Sequence, residues 1–179
     1  GGGKESHGKF KFVRGGMKQV EKTPHQHRGF FARVVNLVPS VGYVDEETDR
    51  RIFNPVLDLT REGGIFVIHS ANRDFLVKNF QARDFFRVTD GRMMTAERKL
   101  DLEDSRMHNT WKYYDEHGDD LKHLSTVEFD HRIYSLHELK KQVEDSGWQY
   151  REWYGGFDMQ TFSIDTFNMV LVAEKASNP

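Results

Sequence analysis

Histidines are the residues of this chain best suited to chemistry near neutral pH. His25 and His27 form an H-x-H pair, a spacing found in metal sites. A metal needs three or four convergent ligands, and no second cluster of Asp, Glu or Cys stands at ligand spacing. The pair therefore reads as exposed loop histidines. His108, His123 and His131 lie in a stretch of alternating residues. They are candidates for proton transfer, because imidazole titrates near neutrality. Gly3, Gly8 and Lys9 match part of the G-x-x-x-x-G-K phosphate loop. Phe10 stands where that loop needs Ser or Thr, and no strand precedes it, so the stretch reads as a tail. Cysteine is absent, which removes disulfide and thiolate chemistry and fits a reducing cytoplasm.

Two polar loops are better placed. Asn36 to Tyr43 follows the apolar run Phe30 to Val38, and Asn72-Arg73-Asp74 follows Ile65 to Ile68. Open α/β sheets bind ligands beyond the carboxyl ends of their strands, so two such loops side by side make a cleft floor. Asn and Asp are equally common in turns and helix caps. Position alone leaves both accounts open.

The elements that would hold these loops follow from periodicity. Lys9 to Val13 is a short strand. Phe30 to Val38 is β-branched and nearly all apolar, which predicts a strand buried on both faces. Asp45-Glu46-Glu47 starts a helix, with Ile52, Phe53, Val56, Leu57 and Leu59 at helical spacing. Pro55 should kink or break it, and Gly63-Gly64 should end it. Ile65 to Ile68 is the next buried strand, completing a βαβ unit. A short helix over 72–82 comes next. Phe85–Thr89, Arg92–Leu100, Met107–Tyr114 and Leu121–Ile133 then alternate like an antiparallel meander. Arg98, Arg106, Lys112 and Arg132 alternate with its apolar residues and read as a solvated face. Ser135 with Glu138 forms a capping box for a helix that buries Leu136, Leu139 and Val143 and stops at Gly147. Trp148–Tyr154 and Met169–Glu174 are the last two strands.

Composition narrows the function classes. The chain has 179 residues, 14 of them Phe, enough for one domain with a substantial core. Its formal net charge of −2 offers no basic face for nucleic acid. It contains no apolar run of membrane-spanning length, and the first eight residues have no signal-peptide texture.

The order of segments resembles the C-terminal portion of a class I S-adenosylmethionine-dependent methyltransferase of the small-molecule type. Lys11-Phe12-Val13-Arg14-Gly15-Gly16-Met17 resembles the family's third strand and its F-x-x-G-D-M ending. Phe31-Ala32-Arg33-Val34-Val35-Asn36-Leu37 resembles the fourth strand, and Ser40-Val41-Gly42-Tyr43-Val44 the S-F-G-Y-F loop. Leu59-Thr60-Arg61-Glu62-Gly63-Gly64 resembles L-K-P-G-G before the fifth strand. Ser135 to Trp148 resembles Y-T-x-x-E-L-x-x-L-L-x-x-A-G-F. The family's E/D-x-G-x-G-x-G cofactor loop has no counterpart, nor has the acidic end of its second strand. Gly16 stands in place of the Asp that meets the adenine, and Ala32 replaces the usual Asp of the fourth strand.

The resemblance implies an α/β fold. A partial Rossmann-like methyltransferase sheet would carry an antiparallel β meander insertion at about 83–134 and a C-terminal β-hairpin. Residues 1–8 would be a flexible tail and 9–179 an incomplete methyltransferase-like domain. The implied function is a methyltransferase subunit or fragment acting on a small-molecule acceptor. It would bind S-adenosylmethionine once a protein partner or an N-terminal segment supplies the first strands. Gly16 and Met17 would border the adenine, and Asn36, Leu37 and Val38 the methionine end. Tyr43, Asn72, Arg73, Tyr134, Tyr154 and Asp158 would line the acceptor pocket. The alternative is a non-catalytic, methyltransferase-like binding or regulatory subunit.

Overall fold

The computed structural model describes residues 29–37, 41–43, 45–88 and 91–177. The tail at 1–8, the strand expected at 9–13, Gly16, Met17, His25, His27 and Val38 lie outside the described residues.

Two four-stranded sheets are present, one ordered β1-β2-β8-β7 and the other β3-β4-β5-β6. The first begins with β1 (Phe31–Asn36), α1 (Glu46–Leu59) and β2 (Thr60–Ala71), a βαβ unit whose strands pair in parallel. Asp45 caps α1 by accepting from the Thr48 amide at 2.6 Å. The helix runs through Pro55 without breaking. It ends at Leu59, before Gly63-Gly64, because Thr60 has already turned to extended backbone and begun β2. Its last carbonyls are met from a distant strand. Lys175 donates from Nζ to the carbonyls of Leu57 (2.8 Å) and Thr60 (2.9 Å). A cation there opposes the negative end of the helix dipole.

After β2 comes α2 (Arg73–Lys78), then the meander β3 (Arg83–Arg87), β4 (Met93–Asp101), β5 (Arg106–His117) and β6 (Asp120–Arg132). All three of its pairings are antiparallel. The chain then returns to the first sheet through α3 (Leu136–Asp145), β7 (Trp148–Tyr154) and β8 (Asn168–Lys175). The capping box at Ser135 forms in full, with Glu138 answering the cap. Gly147, at φ +89, supplies the left-handed residue that releases the chain from α3 into β7. β8 is antiparallel to both β2 and β7, so β7 and β8 form the terminal hairpin.

The core lies between this sheet and the helices α1 and α3. Phe53, Phe66, Ile68, Leu139, Val143, Leu171 and Trp148 form it, none more than 2% exposed. Phe66 packs its ring against both Phe53 and Trp148.

One expectation fails. β1 is not buried on both faces. Phe31 is 40% exposed, Val35 55% and Leu37, just beyond it, 53%. β1 stands at the sheet edge with only β2 as neighbour among the described residues. Its apolar sequence reports an affinity for burial, and burial also requires a covering element.

Candidate functional site

The carboxyl ends of β1, β2 and β7 lie at one end of the first sheet, together with the start of β8. His69 holds this end together. Its Nδ1 donates to the Leu37 carbonyl at 2.8 Å, and its Nε2 hydrogen-bonds the Asn168 side chain at 2.9 Å. The Phe157 ring lies 5.0 Å from the imidazole. One side chain thus ties β1 to β8 and to the 155–167 loop. The signal for it in the sequence is a polar residue interrupting the apolar run of β2.

Of the residues expected at the methionine end of a cofactor, Leu37 lies exposed on this floor. Asn36 pairs with Ile68 and shares its core-side face. Tyr154 and Asp158 stand at the same end of the sheet, at and just past the close of β7. Tyr154 pairs with Val170, and a hydrogen bond to Glu152 raises its phenol pKa. Asp158 is exposed and accepts from the Gln160 amide at 3.4 Å.

Two expected pocket residues are corrected. Asn72 is fully buried. Its side chain caps α2 by accepting from Asp74 N at 3.0 Å, and its amide donates to the Ser163 and Thr166 carbonyls at 2.9 Å each. It clamps the 155–167 loop to the end of β2, and its hydrogen-bonding capacity is spent there. Tyr134 is also fully buried, and its hydroxyl donates to Asp49 at 2.7 Å. Burial, and then this bond, push the phenol pKa upward. Both side chains are committed to the scaffold. Arg73 reaches sideways, donating from Nε to Ser105 Oγ at 3.0 Å, and so joins α2 to the β4–β5 turn.

The Asp49 carboxylate also accepts from the Gly42 amide at 2.8 Å. The Gly42 carbonyl in turn accepts from Arg132 N at 2.7 Å. At φ +97, with the Arg132 carbonyl where a Cβ would sit, position 42 admits only glycine. This bracket places Tyr43 on the meander, its ring 5.3 Å from His131 and 6.3 Å from Phe129.

The meander's two faces differ in chemistry. His108 is exposed on the outer face with Lys99 and Asp130 as cross-strand neighbours, and exposed His123 hydrogen-bonds Thr126 Oγ1 at 2.9 Å. His131 alone of the three faces inward. Burial lowers its pKa first, the Arg106 charge adds to this, and Asp130 opposes it. Arg98 also turns inward, paired across the strands with buried Asn109, while Arg106 and Lys112 remain on the outer face. Arg98 and His131 border a recess of about 270 Å³ between α2, Phe167 and the inner meander face. Periodicity could not separate Arg98 from its neighbours, because the strand alternation repeats without saying which face is inside.

No group of three His, Asp or Glu residues is arranged to hold a metal among the described residues. No helix among them is long and apolar enough to cross a membrane.

No family model matches the chain, and no curated protein matches it. Solved structures do. An S-adenosylmethionine-dependent methyltransferase from Clostridium acetobutylicum aligns with a TM-score of 0.67 at 14% identity, over 82% of this chain and 59% of its own. The CcbJ methyltransferase from Streptomyces caelestis aligns at 0.74 and 15% identity, over 92% and 63%. CalS10, an amino pentose methyltransferase from Micromonospora echinaspora solved with S-adenosylmethionine bound, aligns at 0.54 and 14%, over 82% and 58%. The chain therefore spans about three fifths of the length of these structures. With its parallel β1–β2 pair, antiparallel β8 and β7, and inserted meander, the described chain has the fold of the class I S-adenosylmethionine-dependent methyltransferases.

Proposed function

We propose that this chain supplies the acceptor side and the methionine-end wall of an S-adenosylmethionine-dependent methyltransferase acting on a small molecule in the cytoplasm. A protein segment or second subunit that adds strands beside β1 completes the cofactor site. The observation that carries this reading is that β1 has only β2 as a strand neighbour among the described residues. Phe31, Val35 and Leu37 are exposed along it, Leu37 at the cleft floor and Phe31 at the other end of the strand. An apolar edge of this kind invites a further strand.

The residues present fit one end of the cofactor. Leu37 lies exposed at the carboxyl end of β1, with its carbonyl pinned by His69, and Asn36 precedes it. These two, with Val38, would border the methionine portion. Gly16 and Met17 would border the adenine. Tyr43, Tyr154, Asp158 and Arg73 would stand around the acceptor, with the meander as its cover. When bound, S-adenosylmethionine supplies an activated methyl group. The chain's own part is proximity and orientation, which can account for most of such a rate enhancement.

The alternative is a methyltransferase-like binding subunit with no catalysis of its own. Gly16 in place of Asp favours it. Calorimetric titration with S-adenosylmethionine separates the two, run on the chain alone and with any co-purifying protein. Heat of binding only in the presence of the partner is expected for the completed enzyme. No binding in either state would leave the non-catalytic reading.

A further inference from the structure

The meander has two edge strands, and they are guarded differently. β3 is five residues long, and three of them, Arg83, Asp84 and Arg87, are charged. Short, charged edges resist pairing with another chain. β6, at the other edge, is 13 residues long, contains no proline and pairs only with β5 among the described residues. Every residue from Asp120 to Glu128 is exposed, Leu121, Leu124 and Val127 among them. Both faces of the strand are open along this run among the described residues.

Two hydrogen bonds give the direction of its backbone groups. Ile133 N donates to the Ser105 carbonyl at 2.8 Å, on the β5 side, and Arg132 N donates to the Gly42 carbonyl at 2.7 Å, on the opposite side. Antiparallel ladders alternate in this way residue by residue, so the N–H and C=O groups of Asp130, Glu128 and Thr126 also point away from β5. An extra residue at Leu124 then interrupts the alternation.

An edge of this kind can pair antiparallel with a copy of itself about a two-fold axis. The charges favour that partner. Lys122 stands in the first half of β6, and Glu128 and Asp130 stand in the second; Asp120 lies beyond this run, at the turn. Antiparallel pairing sets each half against the opposite half of the copy. With the axis at Thr126, Lys122 faces Asp130, Ser125 faces Val127, and Thr126 faces itself. Opposite charges and paired threonines both stabilise cross-strand neighbours.

We propose that the chain forms a two-fold dimer through β6, joining two meanders into one eight-stranded antiparallel sheet. This surface is separate from β1 and does not depend on the methyltransferase reading above. A single strand a side buries less than a permanent interface does, so the dimer should be reversible, with a dissociation constant in roughly the micromolar range.

Sedimentation equilibrium of the full chain should show a shift from monomer to dimer mass as concentration rises. Thr126→Lys puts like charges on the axis and should weaken the dimer about tenfold or more. Glu128→Pro removes an outward N–H and leaves the β5 ladder its bonds, so it should weaken the dimer with the circular dichroism spectrum unchanged. The chain has no cysteine, so Thr126→Cys supplies a single thiol. Residues opposed on the axis lie within disulfide reach, and mild oxidation should give a cross-linked dimer. Val35→Cys, on β1, should not cross-link. A monomer at every concentration, a dimer untouched by both Thr126→Lys and Glu128→Pro, or cross-linking through Val35→Cys and not Thr126→Cys would each overturn the proposal.

Discussion

The two faces of the first sheet are built from similar residues and end in different states. On β2, Phe66 and Ile68 point toward α1 and α3 and are at most 1% exposed. Their alternating neighbours Ile65 and Val67 point the other way and are only half-buried. On β1, the opposite-face Val35 is more than half exposed. β-branched side chains occur on both sides, so composition does not account for the difference. One face has two amphipathic helices across it, and the other has no cover among the described residues. Hydrophobic burial scales with the area removed from water, and that area depends on the partner as much as on the residue.

The comparison is tested most severely by truncation on each face. Phe53→Ala, on the closed face, should cost about 3–5 kcal/mol in urea unfolding, because it opens a cavity between α1 and Phe66. Val35→Ala, on the open face, should stay within about 0.5 kcal/mol. If a strand-supplying partner covers β1, the Val35 variant should become costly in the complex. Equal costs for the two variants in the isolated chain would refute the asymmetry.

A smaller effect is expected where buried polar groups take the place of apolar packing. Tyr134→Phe removes the hydroxyl that Asp49 accepts from and leaves a buried carboxylate short of a partner. The expected loss is about 1–3 kcal/mol. Because the same carboxylate holds Gly42, the variant should also loosen Tyr43 from His131, seen as changed His131 ring shifts in NMR.

The smallest effect concerns pH. Burial holds His131 below its ordinary pKa of 6.5. As pH falls below about 6.5, the unfolded chain takes up a proton that the folded chain still refuses. Stability contributed by this site is therefore full above that pH and declines toward the lowered folded value. His131→Phe keeps a ring between Tyr43 and Phe129 but removes the titration. Urea midpoints measured at pH 7.5 and 5.5 should differ less in the variant than in the parent. An unchanged difference would mean that the imidazole does not titrate as its burial requires.

Local signals were legible wherever a physical rule acts within a few residues. Asp45 as a cap, the Ser135–Glu138 box, the release at Gly147 and the alternation of the meander strands are all short-range effects. Of the kink or break expected at Pro55, the break does not occur, because the penalty on one helix turn is set against the packing of Phe53 and Val56 on either side of it. Gly63-Gly64 is not the helix stop, for a related reason. Its sequence resembles a C-cap, but β2 starts at Thr60 and contains both glycines, and its pairing with β8 begins at Ile65.

The candidate site remains a proposal, and the sequence pointed to a place more readily than to its members. The rule that ligands gather beyond strand carboxyl ends pointed to the loops after β1 and β2, and His69, Leu37, Tyr154 and Asp158 are at that end. Asn72 and Tyr134 carry the residue types of a binding site and serve as clamps instead. The distinction depends on Ser163, Thr166 and Asp49, which lie 91, 94 and 85 residues away along the chain.

The sequence by itself determined the alternation of strand and helix, the caps that bound the helices, and the family order of segments, because each is written in neighbouring residues. Only the tertiary structure decided that Arg98 and His131 face inward while His108 and Lys112 face solvent. It also decided that β1 has only β2 beside it among the described residues and that His69 ties the cleft floor together. These depend on which face of a sheet meets another element, and a period-two pattern is identical whichever face is buried.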